Sequence, residues 1–198
     1  MKNNKKIAID IVLLLSDEMN KMACELSAKI IPSKDFKEYV LDNLNYFPHI
    51  SLLMGTAKEN EITSIRENIL PILKKYLPLT VTFTKVELSA NRFPYLVIKK
   101  TKKLASLQSE ITKIIKVDYD ATKKMCADSD ISDQGIDFIN NFRENNLGQG
   151  KFKLHLTLGF GDASFLNINF PIKTIVDTIA IGHIGYGCSF RKLLTKIT

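Results

Sequence analysis

The sequence contains one short pattern twice, His49-Ile50-Ser51-Leu52 and His155-Leu156-Thr157-Leu158. Each copy has a histidine, an apolar residue, a hydroxyl residue and a second apolar residue, and the similarity continues through residues 49–55 and 155–161. The chain has three histidines, and two of them lie in these copies. The repetition predicts two related strands and makes their histidines the leading candidates for catalytic residues.

The spacing within each copy predicts a strand with one polar face. Alternate side chains of a strand point to the same face, so the histidine and the hydroxyl share a face and the apolar residues share the other. In the second copy the alternation begins earlier, because Lys151 and Lys153 precede His155 in the same phase. We expect these two lysines to contact a phosphate. The alternative is that they protect an exposed strand edge from aggregation.

The residue types in the two copies suit acid–base chemistry on a phosphate. An imidazole can accept or donate a proton near neutral pH, and a Ser or Thr hydroxyl can donate a hydrogen bond to an anionic oxygen. With one copy on each side of a phosphate, one histidine would activate the attacking oxygen and the other would protonate the leaving oxygen. This chemistry requires neither a metal nor another cofactor. The three cysteines also lack the spacing of a zinc site or a disulfide framework.

The paired motifs resemble those of the 2H phosphoesterase superfamily, in particular its 2′-5′ RNA ligase and cyclic phosphodiesterase branches. Residues 47–55 and 151–161 carry the resemblance. It implies that His49 and His155 are the catalytic pair and that Ser51 and Thr157 bind phosphate. It further implies action on RNA ends or small nucleotides that carry a 2′,3′-cyclic phosphate or a 2′-5′ linkage. Neither motif departs from the family pattern, whereas the surrounding loops do not identify the substrate.

The order of predicted elements indicates an α+β fold made of two related lobes. The resemblance implies a duplicated 2H phosphoesterase-like fold in which antiparallel sheets line a central cleft and helices lie outside. Besides the motif strands, we predict strands over 7–15, 79–88, 95–100, 174–183 and 190–197. We predict helices over 17–30, 36–44, 104–115 and 133–145, and one that begins at residue 60 or 61 and ends at 76. No low-complexity stretch or linker is present, so residues 1–198 are expected to form one two-lobed domain.

Composition and charge favour a compact protein with a polyanionic partner. The 198 residues are 45% hydrophobic, which is enough for one substantial core, and the net charge of +7 favours RNA or nucleotides, although solvated lysines alone give the same balance. Tyr186 and Arg191 in a Gly-rich segment are further candidates for base stacking and phosphate contact, whereas His183 is expected to be structural. The apolar run over 7–15 is too short for a membrane span. We expect a cytoplasmic monomer without a membrane partner.

Two other classes of function remain open at this point. In one, the chain is a basic RNA- or nucleotide-binding module whose histidines hydrogen-bond phosphate without turnover. In the other, both histidines are core residues and the repeat records an old duplication. Retention of both histidines and both hydroxyls favours an enzyme over either alternative.

Overall fold

The computed structural model describes residues 5–32, 39–89, 93–147 and 153–198. Its strands are β1 (Lys6–Leu14), β2 (Ile31–Pro32), β3 (His49–Lys58), β4 (Leu79–Leu88), β5 (Pro94–Ile98), β6 (His155–Thr157), β7 (Gly161–Asp162), β8 (Ile172–Val176), β9 (Thr178–Ile184) and β10 (Phe190–Ile197). Its α-helices are α1 (Asp17–Ser27), α2 (Ile62–Tyr76), α3 (Lys102–Ile114), α4 (Asp133–Asn140) and α5 (Phe142–Leu147).

The strands form two four-stranded antiparallel sheets. The first sheet has the order β10-β9-β1-β3, and the second has the order β6-β5-β4-β8. The two motif strands, β3 and β6, each lie at an edge of their sheet and contact one another. A short pairing of β2 with β7 joins the lobes at a second place. The predicted α+β fold with two antiparallel sheets is confirmed.

The two sheets share one apolar core. The core includes Ile9 and Ile50 from the first sheet and Phe83, Leu96 and Leu156 from the second. The chain also passes from one sheet to the other between β3 and β4 and again between β8 and β9. The lobes are therefore built from interleaved segments of the chain.

Helices α1 and α3 begin at hydroxyl side chains that cap them. The Ser16 hydroxyl accepts a hydrogen bond from the Met19 backbone N–H, and the Thr101 hydroxyl accepts one from the Leu104 backbone N–H, so these residues cap α1 and α3. Helix α3 buries one face, including Leu107 and Ile111, and contacts both α2 and β3. No helix in the described ranges is long and apolar enough to cross a membrane.

The predicted strand over 174–183 is wrong, because it is two strands in different sheets. Val176 of β8 pairs with Leu79, whereas Thr178 of β9 pairs with Leu14, and only Asp177 separates them. The predicted helix over 133–145 is likewise two helices, α4 and α5.

The predicted helix over 36–44 is also wrong in its described part, while residues 36–38 lie outside the described ranges. Residues 39–44 are not helical. The Asp42 carboxylate instead accepts hydrogen bonds from the backbone N–H groups of Leu44, Asn45 and Tyr46. Such local bonds offer the backbone an alternative to the helix and close a turn before the first motif strand.

Candidate active site

His49 is the first residue of β3 and is buried at the edge of the first sheet. Its Nδ1 atom lies 2.6 Å from the Phe47 carbonyl oxygen. A carbonyl oxygen only accepts hydrogen bonds, so Nδ1 carries the hydrogen and, in the neutral ring, Nε2 carries the lone pair. The backbone two residues upstream thus selects the tautomer of His49.

His155 at the start of β6 has the same arrangement. Its Nδ1 atom lies 2.6 Å from the Lys153 carbonyl oxygen, again two residues upstream. The resemblance between the two motifs therefore extends from sequence to tautomer. In both neutral rings the lone pair is therefore on Nε2.

Burial makes both histidines weaker bases. It lowers the pKa of His49 to about 4, opposed by the bond to the Phe47 carbonyl and reinforced by the charge of His155. Burial also lowers the pKa of His155, opposed by the Lys153 carbonyl and reinforced by the Lys153 ammonium. Both shifts favour the neutral imidazole in the free protein. The strands that carry the two rings, β3 and β6, contact one another.

The aromatic residue Phe190 forms a wall beside His49. The two ring centroids lie 5.7 Å apart, and Phe47 packs edge-on against Phe190 with centroids 5.4 Å apart. Phe190 is fully buried together with Val12 and Ala180, in a small apolar cluster separate from the main core. The Phe190 ring covers one side of His49 and contributes to the burial that lowers its pKa.

Asp10 lies next to the first motif, and the sequence prediction missed it as a site residue. Its side chain is fully buried on β1, with Oδ2 2.6 Å from Ser51 Oγ and 3.5 Å from His49 Nε2. Burial raises the pKa of Asp10 well above its usual range, and the bond to Ser51 opposes this. The signal in the sequence was a single acidic residue within the otherwise apolar run of 7–15.

The two hydroxyls of the motifs have different surroundings. Ser51 is hydrogen-bonded to Asp10, whereas the Thr157 hydroxyl has no hydrogen-bond partner in the part of the chain that the structure describes. Thr157 instead lies opposite Tyr95 of β5, whose ring centroid is 4.9 Å from that of His155. The Tyr95 hydroxyl donates to Glu87. The second motif thus has an aromatic neighbour where the first has a buried acid.

The second sheet has one open face, and this face carries lysines. Phe83, Leu96 and Ile98 are buried on the other face, and the register places Val97 between His155 on β6 and Lys85 on β4. Lys99 continues the alternation of β5, Lys153 precedes His155, and Lys173 lies opposite Thr82. We call the exposed side chains of Lys85, Lys99, Lys153 and Lys173 the lysine face.

Within the lysine face, only Lys85 forms an ion pair with a described residue, at 2.5 Å from Glu87. The lysine face begins beside the second motif and reaches β8 at the far edge of the sheet. With strands about 4.8 Å apart, this distance is roughly 14 Å. The structure therefore places Lys153 next to His155 as expected, whereas Lys151 lies outside the described residues.

Arg191 is held by contacts within the fold. Its Nε donates to Asp128 over 2.6 Å, its Nη1 donates to the Asn45 carbonyl, and the guanidinium lies 4.2 Å over the Tyr46 ring. The Tyr186 backbone N–H also donates to Asp128. These contacts join the 186–188 turn to the loop before β3. Roles of Tyr186 and Arg191 in substrate binding stay predictions.

His183 lies on the opposite face of the first sheet from Phe190, since its neighbour Gly182 faces the Phe190 ring. Its Nε2 is 2.8 Å from the Met125 carbonyl oxygen. The contact agrees with a structural role for this histidine. No group of three or more metal-ligating side chains occurs within the described ranges.

Comparison with known proteins identifies the fold. No protein-family model and no curated protein matches the sequence. Among solved structures, E. coli LigT complexed with NADP+ is 14% identical and matches with a TM-score of 0.57 over 97% of both chains. The chain has the fold of the 2H phosphoesterases. A phosphoesterase structure and E. coli LigT complexed with 3′-AMP, both 14% identical, match with TM-scores of 0.56, each over 97% of both chains. The predicted resemblance is confirmed for the fold.

Proposed function

We propose that this chain, as one two-lobed domain over residues 1–198, is a metal-independent phosphodiesterase. Its substrates are RNA ends or small nucleotides with a 2′,3′-cyclic phosphate or a 2′-5′ linkage. The observation that carries the proposal is the matched state of His49 and His155. Both lie on motif strands that contact one another, and both have Nδ1 bonded to a backbone carbonyl two residues upstream.

In this mechanism His49 is the general base and His155 the general acid. The low pKa of His49, about 4, keeps its Nε2 unprotonated and ready to accept the proton of the attacking water. As the water oxygen bonds to phosphorus, the bond from phosphorus to the leaving ribose oxygen breaks, and that oxygen takes a proton from His155 Nε2. His155 is protonated when the anionic phosphate binds, because a nearby negative charge raises the pKa of an imidazole. The roles exchange in the reverse direction.

Ser51 and Thr157 hold the non-bridging phosphate oxygens in this proposal. A hydroxyl donor on each side of the phosphate stabilises negative charge as it develops in the transition state. Lys153, whose ammonium is close enough to lower the pKa of His155, adds positive charge on the same side. The two motifs thereby combine proton transfer with binding of the phosphate.

Two further observations support a nucleotide or RNA substrate. E. coli LigT, which shares the fold, has been solved with 3′-AMP, with ATP and with NADP+. In this chain the lysine face continues from the second motif across the open side of the second sheet. A row of exposed lysines can contact the phosphates of a chain that extends beyond the reacting group.

The test is turnover in the presence of EDTA with 2′,3′-cyclic nucleotides, 2′-5′ oligoadenylate and RNA that ends in a cyclic phosphate. We expect cleavage of at least one substrate, reduced by about 10² or more in His49→Ala and in His155→Ala, as loss of a general acid or base usually costs. His183→Gln is the matched control, because this histidine lies on the other face of the sheet and Gln can still donate to Met125.

Full activity of both alanine variants, or an absolute requirement for a metal, would refute the mechanism. The second candidate is a non-catalytic RNA- or nucleotide-binding module that uses the same cleft, and the lysine face suits it equally well. Tight, salt-sensitive binding of the same RNA without product formation would establish that alternative. Thermal melting of each variant identifies any loss of activity that comes from unfolding.

A further inference from the structure

Asp10 carries a carboxyl group that is buried in the middle of β1, one of the two inner strands of the first sheet. Its exposed fraction is 0%, and its neighbours across the sheet are Met54 of β3 and Gly182 of β9. Neither neighbour supplies a charge. Burying an ionised side chain without a charged partner costs free energy, and a buried acid avoids this cost by staying protonated.

The hydrogen bonds of Asp10 do not suit an ionised carboxylate. Oδ2 has one short contact, 2.6 Å to Ser51 Oγ, and its distance of 3.5 Å to His49 Nε2 is too long for a good hydrogen bond. Oδ1 is buried and has no partner among the described residues. Carboxylates that stay ionised when buried accept two or three hydrogen bonds or pair with a cation. Asp10 has neither, whereas a neutral acid leaves only a carbonyl oxygen unpaired.

We propose that Asp10 is a positioning residue that acts as a buried neutral acid: its Oδ2–H donates a hydrogen bond to Ser51 Oγ, which leaves the Ser51 hydroxyl hydrogen free to bond a phosphate oxygen. This inference rests on the proposed function. With an ionised Asp10, Ser51 would use its single hydrogen on the carboxylate and would have none to donate to a substrate. With a neutral Asp10, Ser51 Oγ accepts a hydrogen bond from Asp10 and can donate its own hydrogen to a phosphate oxygen.

The titratable groups around Asp10 agree with this state. They are His49 on β3 and Cys188 in the 186–188 turn, while β9 presents Gly182. Burial raises the pKa of the Cys188 thiol, so it is uncharged. Burial likewise raises the pKa of Asp10 and lowers that of His49. A negative charge 3.5 Å from His49 Nε2 would instead favour the protonated imidazole and leave less of the neutral ring to accept a proton.

The two motifs therefore control their hydroxyls in different ways. A hydrogen bond to Asp10 orients Ser51. Thr157 has no hydrogen-bond partner within the described residues and lies opposite Tyr95 on the neighbouring strand. A threonine is β-branched and has restricted rotation about its first side-chain bond, so it needs less external support. Serine lacks that restriction and benefits from a partner.

The first test is a double-mutant cycle between positions 10 and 51. Asp10→Asn keeps an N–H donor for Ser51, and we expect its kcat to stay within about threefold of the wild type, whereas Asp10→Leu should lose about tenfold or more. In the Ser51→Ala background the two Asp10 variants should have the same kcat. Equal losses for Asp10→Leu in both backgrounds would show that Asp10 acts only through stability and would overturn the proposal. If no substrate is turned over, the cycle is measured on binding of 3′-AMP.

The second test does not depend on turnover. The carboxyl carbons of aspartate are labelled with ¹³C, and the Asp10 resonance is assigned as the one absent from Asp10→Asn. We expect the chemical shift of a protonated acid at pH 7. A shift typical of an ionised carboxylate would overturn the proposal even in an active enzyme. If Asp10 is protonated but the protein turns over no substrate, the proposed function is wrong, whereas the neutral state of Asp10 is confirmed.

Discussion

The ring of Phe190 lies directly over Gly182. A Cβ atom at position 182 would be 2.1 Å from Cε2 of Phe190 and 2.4 Å from two further ring atoms. Phe190 is fully buried, with Phe47 and His49 around its ring. Because Gly182 has no side chain, the Phe190 ring can lie at this position and cover His49.

Gly182→Ala is expected to damage both stability and catalysis. The added methyl group cannot fit under the ring, so Phe190 must leave its present position beside His49. Overpacking of this kind costs about 1–3 kcal/mol in the free energy of unfolding. We expect a lower melting temperature and a lower kcat, measured by thermal denaturation and by steady-state kinetics.

The double variant Gly182→Ala, Phe190→Leu provides the control for that change. A smaller side chain at position 190 leaves room for the methyl group, so the stability lost in Gly182→Ala should be partly restored. Unchanged stability and kcat in the single variant would mean that the ring moves freely and that the wall is not rigid.

Local patterns predicted the motifs well because their geometry is set within a few residues. The alternation of His49 and Ser51 follows from the pleat of a strand, and the bond from Nδ1 to a carbonyl two residues upstream is equally local. The same is true of the second copy. The strand, the polar face and the pairing of His with a hydroxyl could all be predicted from the sequence.

The role of Asp10 could not be predicted, because it depends on the register between two strands. Asp10 lies opposite Met54, and an irregularity in the pairing between Ile11 and Val12 shifts the register so that Val12 lies opposite Ser51. This shift keeps Asp10 and Ser51 on one face of the sheet. The passage from β8 to β9 was missed for a similar reason, since the alternation of side chains does not reveal which sheet a strand joins.

The dependence of kcat/KM on pH is expected to be bell-shaped, with its maximum below pH 6.5. This parameter reports the free enzyme, in which the base His49 has a pKa of about 4 and the pKa of the acid His155 is lowered from 6.5. Activity rises as His49 loses its proton and falls as His155 loses its own. Bound phosphate raises both pKa values, so the bell for kcat should lie at higher pH.

Steady-state kinetics between pH 4 and 9 measure both profiles, and they require a substrate whose own phosphate does not titrate in that range. A cyclic phosphodiester meets this condition. A flat profile for kcat/KM, or a bell centred above that for kcat, would contradict the paired acid and base.

The lysine face is expected to control the salt dependence of RNA binding. For single strands, the logarithm of the binding constant falls with the logarithm of the salt concentration by about 0.7 per phosphate contact. The double variant Lys99→Gln, Lys173→Gln removes two exposed lysines that form no ion pair with a described residue, so the slope should become shallower by about 1.4. Fluorescence anisotropy of a labelled single-stranded RNA measures this slope.

A charge-matched variant, Lys21→Gln with Lys113→Gln, removes two exposed lysines from α1 and α3 and should leave the slope unchanged. Binding of a mononucleotide should also be unchanged in Lys99→Gln, Lys173→Gln, because a mononucleotide does not extend across the sheet. Equal effects of the two double variants would indicate that net charge, and not the lysine face, determines RNA binding.

The two motif hydroxyls are expected to differ in what they contribute to stability. Thr157→Val removes a hydroxyl without a described partner, so the free energy of unfolding should change by about 0.5 kcal/mol or less while kcat falls by about 10² or more. Ser51→Ala removes the partner of a fully buried acid and should cost about 1–3 kcal/mol of stability in addition to activity. Thr157→Ser keeps the donor and should retain most activity. Chemical denaturation and kinetics on the same three variants measure both quantities, and equal stability losses in Thr157→Val and Ser51→Ala would contradict the unequal support of the two hydroxyls.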